Sequence, residues 1–169
     1  LDPLTGKLAG IKTGKPDDFY SYQDVYDAFL KQLNFIVDQK IRVSNYIDTM
    51  FAKYAPAPFL SVVIDDCIAK GRDYYNSGPR YNTNYIQCTG LGTITDSLST
   101  IKKHVFENQT ISMDQLLLAV ANNFEGEEKL RQTIVNRTPF FGNDDDYADD
   151  IALQVYEDLL AAIDGKPNT

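Results

Sequence analysis

The sequence predicts a mainly α-helical chain, and three observations carry that reading. Apolar residues recur at spacings of three and four over several long stretches, as they do on the buried face of a helix. Two serines, Ser21 and Ser112, stand ahead of such stretches with Asp24 and Gln115 three residues on, the pattern of an N-terminal capping box. Only TNYIQC has the β-branched and aromatic texture of a strand, and nothing else in the sequence is suited to pair with it.

Residues 1–20 read as loop, because Gly6, Gly10, Gly14 and Pro16 interrupt any periodicity. From Ser21 onward, Val25, Phe29, Leu33, Ile36, Val37, Val43, Ile47 and Phe51 mark one long helix with no Gly or Pro before Pro56. A helix of that length in a small domain suggests a bend near Asp38–Arg42. YAPAPFL is a turn, and Pro58 suits the first turn of a second helix reaching about Tyr75, with Leu60, Val63, Ile64, Cys67 and Ile68 inward. NSGPRYN follows as a loop.

TNYIQC then gives the short strand, near 84–89. The T-G-L-G-T turn after it brings Gly90 and Gly92 ahead of a helix opening near Asp96 and Ser97. Two glycines can admit an anion to the backbone, but the third glycine of a dinucleotide fingerprint and the Gly-Lys-Ser/Thr of a P-loop are both missing. Close packing at the turn is the better reading. Leu98, Ile101, Val105 and Phe106 mark the next helix, followed by one from Ser112 with Leu116, Leu117, Val120 and Phe124. A third spans about Glu127 to Asn136. Residues 21–164 therefore read as helices with one short strand, and 165–169 as a polar tail.

The acidic run FGNDDDYADD raises the question of a metal. Counted as a calcium loop from Asp144, it has Ala148 at the fifth position, Asp149 where glycine belongs and Val155 where the closing glutamate belongs. Ala148, Ile151, Ala152, Val155, Leu159, Ala162 and Ile163 then run down one helix face, so the aspartates read as the acidic first turn of a helix.

Composition narrows the function classes. The 169 residues suffice for one domain, and 43% hydrophobic with 24% charged residues is ordinary for a globular segment. A net charge of −8 argues against nucleic acid or an anionic membrane surface as partner, and no apolar run is long enough to span a bilayer. The start, LDPLTGKLAG, has neither the basic nor the apolar region of a signal peptide. With two cysteines, Cys67 and Cys88, the expectation is a cytoplasmic protein with free thiols, Cys67 acting as a small buried apolar residue. One histidine, His104, and two isolated cysteines cannot close a tetrahedral zinc site. His104, in IKKHVF, reads as structural, on a helix between exposed and boundary positions.

A lone strand leaves its backbone N–H and C=O groups without partners, so the sequence has the look of a piece of something larger. GPRYNTNYIQCTGLGTITDSLSTIKKHVFE, NNFEGEEKLRQ and TPFFGNDDDYADDIA, with the earlier TGKPDDFYSYQDVYDAF, resemble the glycyl radical enzymes of the pyruvate formate-lyase-like superfamily. The dehydratase and lyase branch, with choline trimethylamine-lyase, glycerol dehydratase and hydroxyproline dehydratase, is the most similar. The resemblance implies a helical segment of a ten-stranded α/β barrel, with residues 1–169 an internal part and TNYIQC one strand of it. It implies a parent that removes water or another leaving group from a small polar substrate, or cleaves C–C or C–N bonds, or acts in the manner of a formate acetyltransferase. The chemistry runs through a cysteine thiyl radical.

The parent would carry a glycyl radical, installed by a radical S-adenosylmethionine activating enzyme, with no cofactor bound directly to this chain. Its other partners would be the rest of the barrel and, as a homo-oligomer, further copies of itself. The family's Gly-Cys-x-Glu cysteine motif and Arg-Val-x-Gly-Tyr-like glycine loop are both missing. Cys67 follows Asp66 and has Ala69 two residues on, whereas Cys88 follows Gln87 and has Gly90. No catalytic residue is therefore carried over, and the segment alone is expected to be inactive. Asn82, Asn84 and Gln87 are candidates for hydrogen bonding to substrate or to neighbouring side chains, with satisfaction of the core as their competing role.

Two further readings stay open: a stand-alone helical interaction module derived from this family, binding through the helix at 22–54, and an independent enzyme using the carboxylate cluster. The last needs a dry cleft that shifts carboxylate pKa values, which a solvated helix start does not provide.

Overall fold

The computed structural model describes residues 4–168; the first residues of the loop expected over 1–20, and Thr169 of the tail, lie outside the described residues. Regular structure among them is helical throughout. After a 3-10 turn at Pro16–Asp18 come α1 (Tyr22–Tyr54), α2 (Pro58–Ser61), α3 (Asp65–Lys70), α4 (Leu91–Thr100), a π-helical segment (Ile101–Glu107) directly continuing α4, α5 (Met113–Ala121), α6 (Glu128–Arg137) and α7 (Asp146–Ile163). The described residues form two compact units. One comprises residues 4–34 and 88–162, the other residues 35–87 and 163–168, so that α1 contributes its first half to one and its second half to the other.

The capping signals hold. The Asp24 carboxylate accepts the Ser21 N–H at 2.8 Å while Ser21 Oγ accepts the Asp24 N–H at 3.2 Å. Ser112 and Gln115 exchange the equivalent pair, both at 3.1 Å. Each exchange satisfies two backbone donors that a helix start otherwise leaves free. From Ser21 the helix runs 33 residues, continuous through Asp38–Arg42.

In the first unit, Tyr26, Leu98, Ile151 and Val155 form the central apolar cluster, with Tyr22, Phe29, Leu30, Leu91, Ile94 and Tyr147 packed on it. The periodicity read into α7 is the observed one: Ala148, Ile151, Ala152, Val155, Leu159 and Ala162 are buried. Tyr26 is only 1% exposed, and its Oη donates to Asp158 Oδ2 at 2.6 Å. Desolvation, and then the Asp158 carboxylate, push the Tyr26 phenol above its ordinary range, so it stays a donor at any physiological pH.

Four expectations are corrected. The helix expected from Pro58 to about Tyr75 is two short helices broken at Val62–Ile64, a run of β-branched residues stiff at χ1 and poor in the helix, and Gly71 ends the second in a left-handed cap at φ +62°. The helix expected near Asp96 begins instead at Leu91, immediately after Gly90, whose φ of +87° suits glycine. TNYIQC forms no strand: residues 81–90 carry no regular structure, because no neighbouring strand is present among the described residues to complete a ladder. Finally, several apolar positions expected inward are exposed, among them Ile36, Val43, Ile47 and Phe51 on α1, Leu60, Val63 and Ile68 beyond it, and Leu117 and Val120 on α5. Periodicity identifies the apolar face of a helix but not whether anything covers it.

Replacing Tyr26 by Phe removes the bond to Asp158 and leaves a carboxylate without its buried donor. The expected cost is about 1.5–3 kcal/mol, read as a lower urea midpoint at unchanged slope.

Candidate functional site

The polar segment that the sequence singled out is launched from a loop held by many short-range bonds, all within the second unit. Asp73 is its hub. Its Oδ2 accepts from the Ala57 N–H at 2.9 Å and from Ser61 Oγ at 2.8 Å, and its Oδ1 accepts from the Tyr75 N–H at 3.0 Å. Burial opposes the Asp73 charge, but these donors outweigh it and hold the carboxyl below its ordinary value. The Ser61 Oγ in turn accepts the Tyr74 N–H at 2.8 Å. Lys70 Nζ donates to the carbonyls of Gly78 and Pro79, at 2.9 and 3.2 Å, and Arg80 pairs with Asp66 at 3.3 Å.

Gly78 is the tightest point of the loop. A Cβ there would lie 2.5 Å from Cys67 Sγ and 2.6 Å from the carbonyl oxygens of both Arg72 and Asp73. Only glycine lets the chain pass between α3 and its own preceding turn. Cys67 is buried, as expected of a small apolar residue, whereas Cys88 is exposed.

Beyond this loop the segment crosses a cleft of about 380 Å³. Ile41, Ser44 and Asn45 of α1 form one side of it; Ile163, Lys166, Pro167 and Asn168 form another; Asn82, Thr83, Asn84 and Ile86 come from the segment itself. Amide side chains fasten these parts together. Asn84 Nδ2 donates to Asn45 Oδ1 at 3.3 Å, Asn45 Nδ2 donates to the Pro167 carbonyl at 2.9 Å, and Asn168 Nδ2 donates to the Asn82 carbonyl. Lys166 Nζ meets Asp38 at 2.7 Å, which favours the ionised carboxylate and lowers its pKa. Of the three residues expected to act here, the structure brings Asn82 and Asn84 to the cleft. Gln87 is exposed and does not line it.

Asn45 and Asn168 were not singled out by the sequence. Asn45 sits in mid-helix, and Asn168 in a tail with no periodicity; only the fold shows that they meet the segment.

The other candidates resolve into structural roles. Asp145 Oδ1 accepts the Tyr147 N–H at 3.0 Å at the start of α7, as expected for an acidic helix entry. Among the described residues, no three His, Cys, Asp or Glu side chains are grouped so as to hold a metal. Gly92 faces Phe141, whose Cδ1 would lie 3.3 Å from an added Cβ, so the glycine-rich turn serves close packing. Phe141 N–H is accepted by Asp96 Oδ1 at 2.8 Å.

His104 departs from its expected boundary position: it lies on the π-helical segment and is 2% exposed. Its Nε2 lies 3.0 Å from Thr138 Oγ1 and its Nδ1 3.4 Å from Thr110 Oγ1. Burial, with Lys103 and Arg137 nearby, pulls the imidazole pKa below its ordinary value. Tyr147, whose ring lies under Lys102 and Lys103 at 4.7 and 4.9 Å, donates to Glu107 Oε2 at 3.0 Å. The Tyr147 contacts join the π-helical segment to α7.

The described residues thus form a helical segment with an irregular, amide-anchored stretch at 81–87. The sequence matches the family Pyruvate formate lyase-like over residues 1–169, and the chain belongs to that family. It is 46% identical over 166 residues to trans-4-hydroxy-L-proline dehydratase of Clostridioides difficile, covering 98% of this chain and 21% of that protein. Identity to (2S)-3-sulfopropanediol dehydratase of Klebsiella oxytoca is 35% over 164 residues, covering 96% of this chain and 20% of that protein.

The same fold is found in the hydroxyproline dehydratase structure from Clostridioides difficile, with a TM-score of 0.94, 46% identity and coverage of 99% of this chain and 21% of that one. The B12-independent glycerol dehydratase of Clostridium butyricum gives a TM-score of 0.89 and 31% identity over 97% of this chain and 21% of its own. The chain thus spans about a fifth of the length of the curated relatives it matches. No described helix is long and apolar enough to cross a membrane.

Two outcomes test this description. Gly78→Ala is expected to destabilise by about 1–3 kcal/mol, since two of the three clashes are with backbone that cannot rotate away; adding Cys67→Ala relieves the third and recovers only part of the loss in a thermal-melt comparison. His104 has a folded pKa below its unfolded one, so its contribution is fully present above about pH 6.5 and is lost as pH falls from there toward the folded pKa, where the unfolded chain alone takes up the proton. Urea unfolding at a series of pH values should show that slope, and His104→Gln should flatten it.

Proposed function

We propose that this chain is the helical part of a glycyl radical dehydratase or lyase, which removes water or another leaving group from a small polar substrate. The observation that carries the proposal is the 46% identity to trans-4-hydroxy-L-proline dehydratase over 98% of this chain. The relatives at lower identity include further dehydratases and sulfite-lyases, which favours an elimination over any particular leaving group. A hydroxylated substrate such as trans-4-hydroxy-L-proline is the first to try.

In this reading the glycyl radical and the cysteine that receives it lie in parts of the parent that this sequence does not contain. An activating enzyme installs the radical, and the working unit is a homo-oligomer in the cytoplasm, a setting compatible with the free thiols Cys67 and Cys88. What these residues supply is scaffold and one face of the substrate chamber. The Asp73 hub and Gly78 fix the loop, and the loop delivers residues 81–87, which include Asn82, Asn84 and Gln87, to the chamber wall. The apolar faces left exposed on α1 are the surfaces that the remaining barrel covers.

The test is to express the complete coding region with its activating enzyme under anaerobic conditions. The expected results are a Gly-Cys-x-Glu motif and an Arg-Val-x-Gly-Tyr-like loop in the flanking sequence, an organic radical in the electron paramagnetic resonance spectrum, and loss of water from trans-4-hydroxy-L-proline or glycerol. An open reading frame confined to these 169 residues would overturn the radical reading and leave a helical interaction module. A full-length protein that acquires no radical would overturn it as well.

A further inference from the structure

Tyrosines gather around a second depression of the second unit, of about 250 Å³. Tyr74 and Tyr75 line it from the loop, Tyr81 and Tyr85 from the segment beyond, and Asp48 from α1. Pro79 and residues 82–84, which also line the first cleft, complete it. Tyr75, Tyr81 and Tyr85 are 41%, 81% and 90% exposed. A single exposed tyrosine needs no explanation, but several around one concavity mark a binding surface. Among the described residues that line the depression, Asp48 alone is charged. Two basic side chains stand beside Pro79, and both are engaged: Lys70 on the carbonyls of Gly78 and Pro79, Arg80 on Asp66.

The face of an aromatic ring is the negative part of its quadrupole and attracts a cation. A carboxylate adds a full opposite charge. Asp48 has another partner in the structure, and its charge acts on a nearby cation all the same. An anion would be repelled by both features, and a neutral apolar group would forgo both. We propose that this depression binds a small organic ammonium cation, with the tyrosine rings as its walls and Asp48 as its counter-charge. The site is built from residues of this chain and is independent of the proposed function.

Half of the wall is fixed before a ligand arrives. The Tyr75 N–H donates to Asp73 Oδ1 at 3.0 Å, and the Tyr74 N–H donates to Ser61 Oγ at 2.8 Å. The Tyr74 and Tyr75 rings meet edge to face with centroids 5.2 Å apart, and Tyr75 packs on Phe51 of α1 at 5.3 Å. Rings held in this way lose little freedom on binding. Tyr81 and Tyr85 form the exposed part of the wall and can turn onto a guest. The volume is below the roughly 300–1,000 Å³ of pockets for drug-sized ligands, which restricts the guest to a few heavy atoms.

The experiment uses the full-length protein without activation, so that its outcome does not depend on a radical. Tetramethylammonium and the neutral tert-butyl alcohol, similar in shape, are titrated while saturation-transfer NMR follows their methyl protons. Tetramethylammonium should bind saturably, about tenfold or more tighter than the alcohol, and more weakly as salt is added. Tyr81→Leu and Tyr85→Leu should each weaken it by about two- to fivefold, and Asp48→Asn by about twofold or more. Tyr85→Phe keeps the ring and should leave the affinity unchanged. No binding, as when another part of the full-length protein fills the depression, would overturn the proposal. Equal binding of the two probes would overturn it too, as would an affinity that none of the three weakening substitutions lowers, or a loss in Tyr85→Phe as large as in Tyr85→Leu. Should a variant fail to fold, crystals of the unaltered protein soaked with tetramethylarsonium, an isosteric cation with an anomalous scatterer, decide the matter. Arsenic among Tyr81, Tyr85 and Asp48 supports the site, and arsenic elsewhere or nowhere overturns it.

Discussion

The uninterrupted hydrogen-bond ladder of α1 is the constraint on which most of the structure rests. Thirty-three residues from Tyr22 to Tyr54 contain neither glycine nor proline, and the Ser21–Asp24 exchange closes the start. A helix of this kind is not stable in water through propensity alone; it needs a packed face. Its first half obtains one through Tyr26, which is buried in the cluster with Leu98, Ile151 and Val155 and tied to α7 by Asp158. Its second half leaves Ile36, Val43, Ile47 and Phe51 exposed and, through Ile41, Ser44 and Asn45, lines the cleft that segment 81–87 crosses. One helix thus serves as a core element at one end and as a rack for a polar segment at the other.

The extended segment shows what side chains do when backbone pairing is missing. A strand within a sheet is fixed by a ladder in which each bond repeats the register of the last. Residues 81–90 have no ladder among the described residues, and their path is fixed at the ends and at single points: by Gly78 and the Asp73 hub before the segment, by Asn84 on Asn45, and by Asn168 on the Asn82 carbonyl. Among the described residues, the backbone N–H and C=O groups of residues 81–87 make no backbone-to-backbone hydrogen bond. An exposed row of such groups is the template on which another strand pairs.

How much of this was legible in the sequence depended on whether the signal was local. Both capping boxes were legible because the residues that exchange hydrogen bonds are three apart, and α7 was legible because its apolar period and its acidic start agree. The start of α4 was missed because Leu91 and Ile94 follow a glycine that reads as a turn residue until its positive φ is known. The division of α2 from α3 lay in Val62–Ile64, where an apolar run looks helical and β-branching works against it. Asn45 and Asn168 carried no signal, since 122 residues separate Asn45 from its partner Pro167 and 86 separate Asn168 from Asn82.

Asn82, Asn84 and Gln87 illustrate the same limit within the site itself. All three were legible as polar residues in a β-like stretch, yet the structure brings only Asn82 and Asn84 to the cleft and leaves Gln87 exposed. Composition groups them; the anchoring of the segment separates them. Which of them reach the cleft is set by Asn45 of α1 and by the tail at Pro167 and Asn168, both distant in sequence. What the segment presents to the cleft therefore resides in the residues that anchor it as much as in the segment itself.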